Sequence, residues 1–167
     1  DDLDIAMLKS DYKRLKKILR NLDSKEYVLH DMESDVDYVN VFGKFRKRNG
    51  AIHSTSRRYN YYKWRGIGFD IFAVEKNSYL AARIASVIYG NLQHITSYIK
   101  WNWLRKPLIR LIEILCLCII NPILRLIGLI NPCGKYHYSL GTGCAKTTIF
   151  LEDTFPLRKT MYEGVEL

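Results

Sequence analysis

The sequence predicts an α+β domain, because strand-like and helix-like periodicities alternate in its first half and helical spacing takes over in its second. Residues 1–6 and "GIGFDIFAV" at 66–74 have the alternating or uniformly apolar character of strands. The stretches 11–22 and 78–100 carry apolar residues at three- and four-residue spacing. At 167 residues the chain is one domain able to bury a single core, and 48% hydrophobic with 13% aromatic content excludes disorder.

The opening "DDLDIA" is read as a short strand. With a side-chain period of two, Asp2 and Asp4 share one face while Leu3 and Ile5 share the other. Ser10 followed by Asp11 predicts a helix start, with the acid near the positive end of the helix dipole. Tyr12, Leu15, Ile18, Leu19 and Leu22 form its apolar stripe, and the basic remainder is expected to face solvent. "DMESDVD" at 31–37 holds four acids and is expected to be a solvated loop rather than a metal site. "DYVNVFGKFRKR", the "NG" at 49–50 and "AIHSTS" predict a hairpin. "GIGFDIFAV" follows as a central strand.

Beyond Ser78 a long helix is expected, then two shorter, very apolar helices divided by Pro107, Pro122 and Pro132. The run from Pro107 to Ile130 is long enough to span a bilayer, but Arg110, Glu113 and Arg125 interrupt it. Each such charge costs about 2.5–3.5 kcal/mol at mid-membrane. Core packing or an interfacial position is therefore expected, with Trp101 and Trp103 suited to an interface. The division expected is a single domain over 1–167. Residues 1–75 hold the acids and a basic hairpin, 76–133 form a helical apolar region, and 134–167 are extended.

Lys and Arg exceed Asp and Glu by 26 to 17, which suits phosphate-rich partners or an anionic membrane. Cys116, Cys118, Cys133 and Cys144 form no CxxC pair and read as reduced thiols of a cytoplasmic protein. The acidic N-terminus carries no signal-peptide pattern. "GTGCAKTT" at 141–148 lacks phosphate-loop spacing, and His30, His53, His94 and His137 show no ligand spacing. Surface or supporting roles are expected for these histidines.

The chemistry concentrates on the acids. Asp2 and Asp4 on one strand face, with Asp70 in the apolar "GFDIF", make a set able to hold one or two Mg²⁺ (or Mn²⁺) ions for phosphoryl transfer. Asp70 is the preferred acceptor of a proton from an attacking hydroxyl. The bland alternative is a structural salt bridge from Asp70 to a Lys or Arg. Lys44, Arg46 and Arg48 in "KFRKR" share a strand face and suit a pyrophosphate. A charge-protected edge strand explains them equally well. Arg57, Arg58, Lys63 and Arg65 among Tyr59, Tyr61, Tyr62 and Trp64 support a minority nucleic-acid reading.

With these residues in view, the sequence resembles the LicD family, which includes fukutin-type proteins. The resemblance lies in "DDLDIAMLKSDYKRL", "KFRKRNG", "GIGFDIF" and "FPLRKTMYEG", in that order along the chain. It implies a nucleotidyltransferase-like mixed sheet flanked by helices, with a helical apolar insertion. It also implies Mg²⁺-dependent transfer of a phospho-substituent, most typically phosphocholine from CDP-choline. The acceptor would be a hydroxyl of a surface glycan such as lipopolysaccharide, teichoic acid or capsule. On this resemblance Asp2, Asp4 and Asp70 match the metal-binding, catalytic acids, and Lys44 and Arg46 the basic strand. Asp1 matches a supporting acid. Ala73 stands where the family usually has Pro, and the family's upstream Gly-rich and downstream Pro- and Tyr-containing segments have no counterpart here. A fragment is therefore expected, working in the cytoplasm or peripherally at the inner face of the plasma membrane. The alternative is a catalytically inactive, membrane-associated binding or scaffold domain of the same fold. No nucleic-acid partner is expected.

Overall fold

A computed structural model describes residues 4–130, 135–143, 147–159, 161–162 and 164–166. It shows the α+β class: one mixed six-stranded sheet with helices against it. The central strand is β4, Gly68–Lys76, and β1, Asp4–Leu8, runs parallel along one of its edges. Two strands share the other edge. β3, Gly43–Lys47, pairs antiparallel with residues 68–71, and β5, Tyr136–Tyr138, with residues 74–76. β2, Tyr27–His30, extends the sheet beyond β3, and β6, Thr148–Ile149, extends it beyond β5. Ile71, Phe72, Ala73 and Val74 are buried in succession, as a strand covered on both faces requires.

β1 runs straight into α1, Lys9–Asn21. The register keeps the chain extended through Leu8, which pairs with Val74, so the helix opens at Lys9 without a side-chain cap. Ser10 therefore lies inside the first turn rather than capping it. Asp11 sits in the first turn and Arg20 in the last, both favourable to the helix dipole. Tyr12, Leu15 and Leu19 are half-buried, whereas Ile18 and Leu22 remain exposed.

The expected hairpin does not form. Gly50 adopts φ 95° at the "NG" turn, but Ala51 makes a single parallel bridge to Arg65, and 52–56 contain no strand. The reason is β2, which the short "YVLH" did not announce. It takes one edge of β3 and leaves the other for β4, so β3 is internal and not a charge-protected edge.

The loop 31–37 is also not solvated. Asp31 and Asp35 are buried, and each acid there has a cationic or hydrogen-bonded partner. Asp31 meets Arg20 at 2.7 Å and Lys16 at 3.0 Å, and Glu33 meets the same two cations. Asp37 pairs with Arg105 at 3.0 Å, and the Arg105 guanidinium stacks 3.4 Å from the Tyr61 ring centre.

The second half is helical. α2, Tyr79–Tyr98, buries Ala81, Ala82, Ala85 and Tyr89. α3, Asn102–Leu115, continues without a break through a π-helical segment, Cys116–Ile120, into α4, Asn121–Ile130. The two separate helices expected from the prolines are thus one run. Pro107 is accommodated inside α3, and Pro122 falls in the first turn of α4, where a missing N–H costs least. Cys116 and Leu124 pack with α2 and Leu140 into the core. Gly141, at φ 96°, lies so close to Tyr89 that a Cβ there would sit 2.7 Å from the ring. That packing gives the "GTGC" loop a structural role. A four-residue helix α5, Leu151–Thr154, and a two-strand ribbon, β7 Met161–Tyr162 with β8 Val165–Glu166, complete the described chain.

Candidate functional site

Register brings the chemistry together. β1 against β4 sets Asp4 beside Asp70, β3 against β4 sets Lys44 beside Asp70, and β2 against β3 sets His30 beside Lys44. Partners in register project to one face. A row His30–Lys44–Asp70–Asp4 therefore crosses four adjacent strands. Lys44 Nζ lies 2.6 Å from Asp70 Oδ1, with both side chains largely buried, while Asp4 is exposed at the sheet margin.

This is the salt bridge that a structural reading of Asp70 expects. It also sets Asp70 between the Lys44 ammonium and the Asp4 carboxylate, so the cation offsets one of two neighbouring like charges. The carboxylate oxygens of Asp4 and Asp70 suit a hard divalent cation such as Mg²⁺. Asp1 and Asp2, the other acids singled out in the sequence, lie outside the described residues. Among the described residues no three His, Cys, Asp or Glu side chains converge as a metal-holding group.

Of the three cations matched to donor phosphates, only Lys44 stands in the row. Arg46 is 1% exposed and its Nη1 donates to the Trp64 carbonyl at 2.6 Å. It fits because its register partner is Gly68, where a Cβ would lie 2.6 Å from the Arg46 Cα. Arg48 donates from Nε to the carbonyls of Ser24 and Tyr27 at 3.1 Å and lies over Trp64. Both guanidinium groups hold loops to the sheet.

His30 is fully buried, which removes the surface position and leaves the supporting role of the two expected of it. Its Nε2 lies 2.7 Å from Asp35 Oδ2, and Tyr38, Tyr62 and Trp64 surround the ring. Asp35 can only accept, so Nε2 carries the proton. Burial lowers the His30 pKa despite the opposing pull of Asp35, and the ring is neutral. Asp35 is held below the usual carboxylate range by His30 and by the amide N–H groups of Lys63 and Asp37, which outweigh its burial. No local spacing announced this pair, because its members meet only when the 31–37 loop folds over the sheet end. His137 is likewise fully buried, while His53 and His94 are on the surface as expected.

A cavity of about 650 Å³ lies elsewhere. It separates α1 from the α3–α4 run and touches Ala73 and Glu75, which alternate with Asp70 and so face the opposite side of the sheet. Lys9, Lys13, Lys16 and Lys17 line it, with Lys13 and Lys17 exposed as the sequence leads one to expect. Glu75 partly neutralises the cleft, pairing with Lys9 at 2.5 Å and Arg125 at 3.3 Å.

The basic–aromatic stretch 57–65 is largely occupied internally. Arg58 donates to Gln93, Arg57 lies over Tyr98, Lys63 lies over Trp64, and Tyr62 is buried. Cys116 is buried and Cys118 exposed, both as free thiols, while Cys133 and Cys144 lie outside the described residues. Compared with protein-family models, with curated proteins and with solved structures, the chain matches none.

Proposed function

We propose that this chain is the Mg²⁺-dependent catalytic domain of a phosphotransferase acting on a CDP-activated donor, with CDP-choline the first choice. The observation that supports this most is the register pairing of Asp4 with Asp70 on adjacent parallel strands, with Lys44 against Asp70. The LicD-like blocks around these same residues add the donor class and a nucleotidyltransferase-like fold.

Asp4 and Asp70, with Asp2, would hold the metal, which when bound supplies charge neutralisation at the transferred phosphate. Lys44 can turn from Asp70 toward a donor phosphate once a divalent cation takes over its electrostatic role. Asp70, largely shielded from water, is placed to accept the proton of an acceptor hydroxyl. The acceptor in this reading is a cell-surface glycan hydroxyl.

The second reading is a catalytically inactive, membrane-associated binding domain of the same fold. It is favoured by the Lys44–Asp70 ion pair, which satisfies Asp70 without any metal. Calorimetry of CDP-choline binding with and without Mg²⁺, on the chain and on Asp4→Asn and Asp70→Asn, separates the two. Metal-dependent binding that both substitutions abolish supports the transferase. A folded chain that binds neither Mg²⁺ nor CDP-choline rejects it in favour of the binding domain.

A further inference from the structure

The helical run of α3, the π segment and α4 has its polarity reversed relative to a water-facing helix. The most apolar 18-residue stretch of Asn102–Leu129 has a mean hydropathy of 2.1, yet only 11% of it is buried. Arg105 and Glu113 turn toward the protein, while Arg110 and Arg125 are half-exposed and anchored at their tips. Arg105 is 2% exposed against Asp37, Arg110 pairs with Glu113 at 2.7 Å, and Arg125 reaches Glu75. The outward side presents Leu111, Ile114, Ile119, Ile123, Leu126 and Leu129, each 51–74% exposed. An amphipathic helix on a water-soluble surface shows the opposite arrangement. The apolar side is far more than scattered surface residues and marks a contact with an apolar phase or partner.

The five-residue π segment at Cys116–Ile120 keeps this side continuous. The extra residue per turn returns Leu124 to the core after Cys116 and leaves Ile119 and Ile123 outward. At the start of the run Trp101 and Trp103 are 66% and 75% exposed, beside Lys100 and Lys106, both on the surface. Exposed tryptophans next to lysines, at the end of an apolar face, match the chemistry of a membrane interface. The chain's net charge of +9 matches an anionic one.

We infer that the outward face of residues 101–130 docks on an anionic lipid bilayer, with the helical run lying in the plane of the interface. A spanning orientation would break the buried Arg105–Asp37 pair near one end of the run and the exposed Arg125–Glu75 contact near the other. A second copy of the chain would bury the same apolar side chains, but would gain nothing from the exposed lysines and the like charge of its partner. The inference does not depend on whether the acids of the sheet do chemistry. If they do, the docked domain works beside lipid-linked acceptors.

Vesicle flotation of the whole chain tests this, using phosphatidylcholine vesicles with and without about one-third phosphatidylglycerol, a content at which a polybasic surface gains electrostatically. The expected result is flotation with the anionic vesicles, together with quenching of Trp101 and Trp103 fluorescence by lipids brominated on the acyl chain. Ile123→Asp combined with Leu126→Asp changes only exposed positions. It is expected to keep the helical circular dichroism while partition falls at least about tenfold. A well-folded wild-type chain that stays at the bottom of the gradient with anionic vesicles overturns the inference. Sedimentation equilibrium then asks whether the same double substitution dissociates a dimer, in which case the face belongs to a second copy.

Discussion

Two acid-rich stretches lie at the same end of the sheet and resolve their charge differently. The loop 31–37 places its acids against Lys16, Arg20, His30 and Arg105, supplied by three separate elements. The sheet row places Asp4 and Asp70 side by side with Lys44 against one of them. In the loop, the fold provides a partner for each acid and the result is a clamp. In the row, the Lys44 ammonium pairs with Asp70, and the negative charge of Asp4 sits at an exposed margin. Acid density alone therefore does not mark a site; the local balance of charge does.

The largest effect should come from the row. Asp70→Asn keeps the shape of the side chain but leaves the part-buried Lys44 ammonium without its carboxylate. Its melting temperature should therefore fall, by about 2–4 °C for each kcal/mol lost. If Asp70 accepts the proton, turnover of CDP-choline should fall by about 10²–10⁴-fold. A variant that keeps full turnover would place Asp70 with the loop acids as a structural group.

The loop should respond in the opposite sense, through stability. Arg105→Met leaves Asp37 buried without its cation and removes the stacking on Tyr61. Breaking a buried pair in this way costs about 3–5 kcal/mol. Urea denaturation should show this as a lowered midpoint, and a midpoint within error of the wild type would remove the distinction drawn between the regions.

The sequence showed the row more clearly than the loop, for a physical reason. Asp4 and Asp70 stand in strands whose apolar neighbours, Ile5, Ile71 and Phe72, betray their period and their centrality. The α+β class and the extents of α1 and α2 follow from the same kind of local pattern. What escaped was long-range. Asp37 meets Arg105 across 68 residues of chain, and Arg46 reaches the Trp64 carbonyl only because the 52–65 loop returns over the sheet. The "NG" dipeptide is a true turn signal, yet strand pairing beyond it was decided by β2 and β4 competing for β3. The exposed side of residues 102–130 was equally hidden, since periodicity reports an apolar face and not what covers it.

A pH titration of stability sharpens the contrast within the loop. The folded pKa of His30 is lowered by burial, so its contribution is complete above the unfolded value of about 6.5 and is lost as pH falls toward the folded value. Asp31, Glu33 and Asp35 are also lowered, and their contributions fade only below about pH 4. Unfolding free energy should thus decline in two stages on acidification. His30→Gln should flatten the stage just below pH 6.5 and leave the lower one. A wild-type curve flat between pH 7 and 5 would show that the ring is not held neutral.

The smallest effect belongs to Lys16, and it tests how far the clamp tolerates loss. Lys16 bridges Asp31 and Glu33, but its side chain is 24% exposed, and Arg20 contacts the same two carboxylates. Lys16→Met keeps the stem that packs along the cleft and removes only the ammonium. Arg20 can still neutralise Asp31, whose charge is the costly one to strand because it is buried while Glu33 is exposed. The expected loss is therefore about 1 kcal/mol or less at low salt, shrinking further as ionic strength screens the exposed partner. Arg20→Met should cost more than Lys16→Met, because it removes the 2.7 Å contact to buried Asp31 and leaves a single flexible lysine in its place. Equal losses from the two would mean that the clamp shares its charge evenly. A loss from Lys16→Met approaching that of Arg105→Met would show that burial does not set the ranking within the loop.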